Sequence, residues 1–264
     1  MNALKRLIFS VLKVVLIVVV YFVITYLVLI GWCVYEMKVN NVTLSEDFIN
    51  GLVLSRGMEI TVIADIICLV IFGIIYLKRS KGKYSPLNMK PIDYVYVLLL
   101  GLFAMYAAEN LVSLINIEGI IGNYSDVENM LLKGGLFTQI LLIGILIPIF
   151  EEVMYRGVIY GYFKEGFGLI CGFVFTSLLF GVMHGNLEQG FYAFMISIVF
   201  IYGYEKFKTL LAPILMHVLN NSMTIVLNYY MTEEPAYSRK TVFIVMVVAF
   251  ICLFSEIVII EKKK

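Results

Sequence analysis

Charge is what this chain has least of. Of its 264 residues, 15% are Asp, Glu, Lys or Arg and 61% are hydrophobic, too little polar surface to clothe a soluble globule of this length. The formal net charge of +1 provides no basic face for a phosphate backbone, so no nucleic-acid partner is expected. Cysteine is sparse too. Cys33, Cys68, Cys171 and Cys252 all fall in apolar segments without metal-type spacing, which argues against a disulfide framework or a thiolate zinc cluster. Repeats, low-complexity tracts and long linkers are missing, and one domain over residues 1–264 is expected. Also missing are the GxSxG elbow, the SxxK pair and HExxH, and no cysteine has a histidine at helical spacing. That removes the common serine, cysteine and zinc hydrolase signatures.

What is present is apolar sequence in long runs. Val14 to Tyr35 is 22 residues without a charge, enough to cross a hydrocarbon core that needs roughly 20 residues at 1.5 Å each, and too long for a cleaved signal peptide. Further apolar segments lie near 60–77, 92–115, 136–155, 169–184, 190–205, 210–229 and 241–260. The expectation is an all-α, polytopic bundle of about eight transmembrane helices in a lipid bilayer, with the sixth short enough to be re-entrant. The longest loops are expected at 36–58, 78–91 and 116–135. Lys and Arg set the orientation. One side takes Lys5, Arg6, Lys78, Arg79, Lys81, Lys83, Lys90, Arg156, Lys164, Lys206, Lys208 and Lys262 to Lys264, which is 14. The other takes Lys38, Arg56, Lys133, Arg239 and Lys240, which is 5. Both termini are therefore expected in the cytoplasm.

Against this background, ionisable groups inside spans need a reason, since each costs on the order of 2.5–3.5 kcal/mol to insert. The run LFTQILLIGILIPIF ends in the sequence EEVMYR, residues 151–156. A lone pair of glutamates at a helix end can mark the water interface. On a helix, however, Glu152 and Arg156 are i and i+4 and can pair, while Glu151 points about 100° away. Asp65, Glu109 and Glu256 also fall inside spans, without an assignable partner. The chain has only two histidines. His184 ends FGVMH, one turn after Phe180, and His217 begins HVLNN, one turn before Asn221. A hairpin reversing at the glycines of EGFG, residues 165–168, would bring Glu151 and His184 to one height on adjacent antiparallel helices. Arg156 and Lys164 suggest that the lower part of this hairpin projects into the cytoplasm. Access from the cytoplasm or laterally from lipid is accordingly expected.

EExxxR, FxxxH and HxxxN in this order resemble the CAAX prenyl endopeptidase and bacteriocin-processing (CPBP, or Abi) intramembrane proteases, over a core of about residues 136–225. The resemblance implies that Glu151 is the general base for a water that His184 helps to hold. It implies that His217 and Asn221 stabilise the oxyanion, and that Glu152 and Arg156 are a structural ion pair, with Phe180 as support. Metal use stays open. No cofactor is required in the favoured reading, because a carboxylate partly desolvated in a membrane cavity can serve as a base unaided. The alternative is zinc held by Glu151, His184 and His217. The expected activity is endopeptidase cleavage of a hydrophobic or membrane-associated peptide, in a bacterial cell membrane, with maturation of a bacteriocin or signalling peptide as the suggested role. A non-catalytic immunity or scaffold protein of the same fold is the alternative, and a proton-coupled transporter a more distant one.

Overall fold

The computed structural model describes residues 3–80, 89–115, 135–230 and 238–262. Among these, all regular structure is helical: α1 (Ala3–Asn40), α2 (Glu46–Ser80), α3 (Pro91–Ile115), α4 (Leu136–Phe167), α5 (Leu169–Val182), α6 (Leu187–Phe207), α7 (Leu211–Tyr230) and α8 (Arg239–Lys262). The helices alternate in direction. α1 to α4 and α8 are long and apolar enough to cross a membrane, and side chains such as Leu16, Leu27, Ile251 and Phe254 are exposed on α1 and α8. Large apolar faces of this kind suit a hydrocarbon solvent. The chain is an integral membrane protein.

Two expectations about lengths need correction. The connection at 36–58 is mostly helix, because nothing in it breaks a helix until Asn41, which takes a left-handed φ of 51°. α2 then begins behind Ser45, whose Oγ accepts a hydrogen bond from the Phe48 amide at 3.1 Å, a side-chain N-cap. The short helix is the fifth and not the sixth. α5 has 14 residues and α6 has 21. The expected loops at 78–91 and 116–135 lie largely outside the described residues.

The turns follow local chemistry. Gly168, with φ 88°, reverses the chain between α4 and α5, a conformation glycine adopts without steric cost. Asn186 caps α6 by accepting from the Gln189 amide at 2.7 Å. Four helix ends meet in an ionic belt. Arg79 of α2 pairs with Glu165 of α4 at 2.8 Å, Lys164 of α4 with Glu205 of α6 at 2.6 Å, Lys208 with Glu205 at 2.8 Å, and Lys206 with Glu261 of α8 at 2.9 Å. These pairs set the C-terminal ends of α2, α4, α6 and α8 at one level.

Inside, one apolar cluster joins α1, α2, α4, α5 and α6 through residues such as Phe72, Phe150, Tyr155, Ile159, Phe180 and Tyr204. A second joins α3, α6, α7 and α8 through Leu100, Ala104, Phe200, Met216 and Leu253. α5 and α6 approach closely at two glycines. A Cβ on Gly181 would stand 2.5 Å from the Gly190 carbonyl oxygen, so only hydrogen fits there. Gly181→Ala should therefore destabilise the protein by about 1–3 kcal/mol, read as a lower melting temperature in detergent. Gly73→Ala, which meets nothing within 4 Å, should leave it unchanged or raise it slightly.

Candidate active site

α4 is not a uniform helix. Two π-helical stretches, Ile140–Leu146 and Val153–Ile159, bracket the six α-helical residues Ile147–Glu152. Pro148 accounts for the first. Lacking an N–H, it cannot donate to Gly144 in an α pattern or to Ile143 in a π pattern, and its ring crowds the preceding turn. The missing N–H leaves one of these two carbonyls without its donor, and α7 donates to both. Asn221 Nδ2 donates to the Ile143 oxygen at 3.1 Å, and Ser222 Oγ donates to the Gly144 oxygen at 3.4 Å. Gly144 lets α7 come this near, since a Cβ there would lie 2.7 Å from Ser222 Oγ.

The second π stretch contains Arg156. Its side chain and that of Glu152 are both 0% exposed, with Nη1 2.7 Å from Glu152 Oε1. The guanidinium also donates from Nη2 to Ser197 Oγ at 2.8 Å and to the Ser197 carbonyl at 3.4 Å. It lies 4.7 Å from the Phe180 ring and 5.2 Å from the Phe200 ring. Arg156 is thus a buried interior residue and not a loop cation marking the cytoplasmic surface. A charge pair out of water needs further polar contacts; here Ser197 and two aromatic faces supply them to the cation, while Arg156 Nε and Glu152 Oε2 are buried without a hydrogen-bond partner.

Glu152 has a second partner. His217 Nδ1 donates to the same Oε1 at 2.8 Å, which fixes the ring and leaves Nε2 directed at Glu151, 3.5 Å from its Oε2. The Phe200 and Phe180 rings stand 5.2 and 5.8 Å from the imidazole. Glu151 differs from its neighbour in keeping 21% of its side chain exposed. Adjacent carboxylates therefore face opposite surroundings, one locked in an ionic core and the other open.

His184 is half-buried at the end of α5, where Nδ1 donates to the Phe180 carbonyl at 2.7 Å and the ring packs edge-on against Phe180 at 4.8 Å. Phe180 therefore touches both imidazoles. The imidazole seen against Glu151 is that of His217, whereas the hairpin spacing pointed to His184. Asn221 has one amide hydrogen engaged by Ile143, and its donor group can offer a second. Asn220 turns away from the site and donates to the carbonyls of Gly101 and Met216, both at 3.1 Å. Sequence reasoning missed Ser197 and Phe200, which carry no motif, and Pro148, whose signal was present. Asp65 is buried next to the Tyr21 phenol, with Glu151 in electrostatic range.

A zinc site is not formed by this donor set. Nδ1 engagement leaves each histidine its Nε2 as a possible ligand, but among the described residues no three His, Cys, Asp or Glu side chains group to hold a metal.

Residues 133–223 match the family model described as type II CAAX prenyl endopeptidase Rce1-like. The chain is 25% identical over 89 residues to "Putative membrane peptidase YdiL" of Bacillus subtilis (strain 168), covering 34% of this chain and 36% of that protein. It is 31% identical over 118 residues to "UPF0177 protein YaiF" of Lactococcus lactis subsp. lactis (strain IL1403), covering 43% of this chain and 51% of that protein. The matched part thus spans about a third of one relative and about half of the other. No solved structure matches the chain significantly. The resemblance read from the three motifs is borne out over residues 133–223, which hold every residue of the cluster around Glu151 and Glu152.

Removing either partner of the buried pair strands a charge, at a cost on the order of 3–5 kcal/mol. Glu152→Ala and Arg156→Ala should therefore lose folded protein in detergent, seen as aggregation on size-exclusion chromatography. Ser197→Ala should remain folded with a melting temperature lowered by the equivalent of about 1–3 kcal/mol.

Proposed function

We propose that this protein is an intramembrane endopeptidase in which Glu151 activates a water molecule against a peptide bond. One observation carries the reading: of two adjacent glutamates, Glu152 is sealed in an ion pair that anchors a histidine, and Glu151 is left partly open before that histidine's other nitrogen. A structural role for both would not separate them in this way.

The chemistry follows from the groups at hand. Glu151 removes a proton from water as the oxygen adds to the scissile carbonyl carbon. The negative charge on the carbonyl oxygen is met by the remaining amide hydrogen of Asn221 and by His217 once its Nε2 has taken a proton in addition to the Nδ1–H held by Glu152, groups that cost little reorganisation because Ile143 and Glu152 already hold their side chains. Collapse of the tetrahedral intermediate breaks the C–N bond, and the proton on Glu151 passes to the leaving amine. His184, at the half-buried end of α5, holds the water. This route needs no cofactor.

The family match supports a CAAX-type membrane protease in kind, and the substrate is a hydrophobic or membrane-associated peptide. Relatives from Bacillus and Lactococcus support a bacterial cell membrane. Prenylated proteins are then poor candidates, and maturation of a secreted peptide, a bacteriocin or a signal, fits better. Removing the buried Arg156 from the fourteen basic residues leaves thirteen against five, so both termini are still assigned to the cytoplasm.

Glu151→Gln preserves shape and removes the base. Cells expressing it should lose the mature form of at least one peptide seen with the native protein, by about 10²- to 10⁴-fold in cleavage rate, in mass spectra of the secreted and membrane peptidomes. His184→Ala should do the same, and both proteins should insert and fold. Identical peptidomes would move the protein to an immunity or scaffold role.

A further inference from the structure

The two ends of the bundle are finished differently. At one end the ionic belt closes the helices, and apolar side chains fill the space between it and the Glu152–Arg156 pair. Every residue of α4 from Glu152 to Tyr160 is buried, with Tyr204 and Leu210 packed alongside. Toward the other end, among the described residues, the packing loosens. Between Leu136 and Ile147, α4 buries only Gln139 and Gly144.

Polar groups gather at this looser end. α5 stops after 14 residues, about 21 Å of rise, short of a hydrocarbon core roughly 30 Å thick. The chain then turns through residues 183–186, where Gly185 has φ 76°. His184, Asn186, Glu188 and Gln189 on and after this turn are all half-exposed or exposed. Across from Ile143 and Gly144, α7 carries Asn221, Ser222 and Thr224, each half-exposed, and then exposed Asn228. Irregular backbone and polar side chains at membrane depth persist only against protein or water.

Depth agrees. Glu151 is 14 positions before Glu165 of the belt, about 20 Å by helical rise, and His217 is nine positions after Lys208, about 14 Å. The site therefore lies near the midplane of a core roughly 30 Å thick.

We propose that the site opens to water at the end of the bundle opposite the ionic belt, through a polar funnel between the α5–α6 turn and the Asn221–Asn228 strip of α7. The substrate bond is then presented from that membrane face. In the orientation assigned above it is the extracytoplasmic face, and the substrates are peptides or protein segments already emerging on the far side of the membrane. The substrate class rests on the peptidase reading, but the opening does not. This differs from the access expected by treating Arg156 as a cytoplasmic marker.

Single cysteines test it, in protein whose Cys33, Cys68, Cys171 and Cys252 are replaced by alanine. Gln189→Cys marks the turn, Ser222→Cys and Thr224→Cys the funnel, and Lys208→Cys the belt. Each is exposed to a membrane-impermeant maleimide in intact cells and in inverted vesicles. Gln189→Cys and at least one funnel cysteine should label at least tenfold faster from the side opposite to Lys208→Cys. Funnel cysteines that label from the Lys208→Cys side, or from neither side in folded protein, overturn the proposal. Labelling needs no catalysis. The predicted pattern with an unchanged Glu151→Gln peptidome would keep the opening and remove the peptidase reading.

Discussion

The structure depends on a buried charge pair, Glu152 with Arg156. Neither side chain reaches solvent, and in a bilayer-spanning bundle the desolvation cost of two such ions is several kcal/mol each. Their mutual attraction offsets that cost only with help. Ser197 from α6 and the Phe180 and Phe200 rings surround the cation, and His217 from α7 joins Arg156 on Oε1 of the carboxylate. Satisfying one pair therefore draws α4, α5, α6 and α7 to a common point. That point also sets how His217 is turned toward Glu151.

A proline and two widened turns prepare the helix that carries the pair. Pro148 sits three residues before Glu151, and the two carbonyls within reach of position 148, Ile143 or Gly144 according to the helix type, accept from Asn221 and Ser222. The same substitution of side chain for backbone that repairs α4 fixes the amide of Asn221. Local disorder of the hydrogen-bond ladder and order of the site are one arrangement. This is consistent with the general tendency of π-helical insertions to occur at functional positions.

Much of this was readable from the residues. Apolar run length predicts the helices, and eight occur among the described residues. The i, i+4 spacing of Glu152 and Arg156 predicts their pairing, and the glycines of EGFG the α4–α5 reversal. Other features needed three dimensions. Arg156 counts as a loop cation in a linear tally, because burial of the pair depends on Ser197, 41 positions from Arg156, and on His217, 65 positions from Glu152. The outward continuation of α1 and α2 past residue 35 is invisible to a search for apolar runs, since a helix can continue with polar residues once it has left the hydrocarbon. Spacing along a hairpin brings Glu151 and His184 to one height but says nothing about a third helix. α7 supplies the imidazole that faces Glu151, and Tyr21 of α1 faces Asp65 of α2.

The two histidines give the account its most direct test, because each is pinned through Nδ1, one to a carboxylate and one to a carbonyl. Free imidazole in water prefers its proton on the other nitrogen, so the expected state is distinctive. The measurement is nitrogen-15 NMR of the imidazoles in protein labelled at histidine, with His184→Gln to assign the signals. Both Nδ1 atoms should carry a proton, and that of His217 should keep it in Glu151→Gln, because its partner is Glu152. A His217 found with Nδ1 bare and only Nε2 protonated would contradict the claim that the buried pair turns this ring toward Glu151.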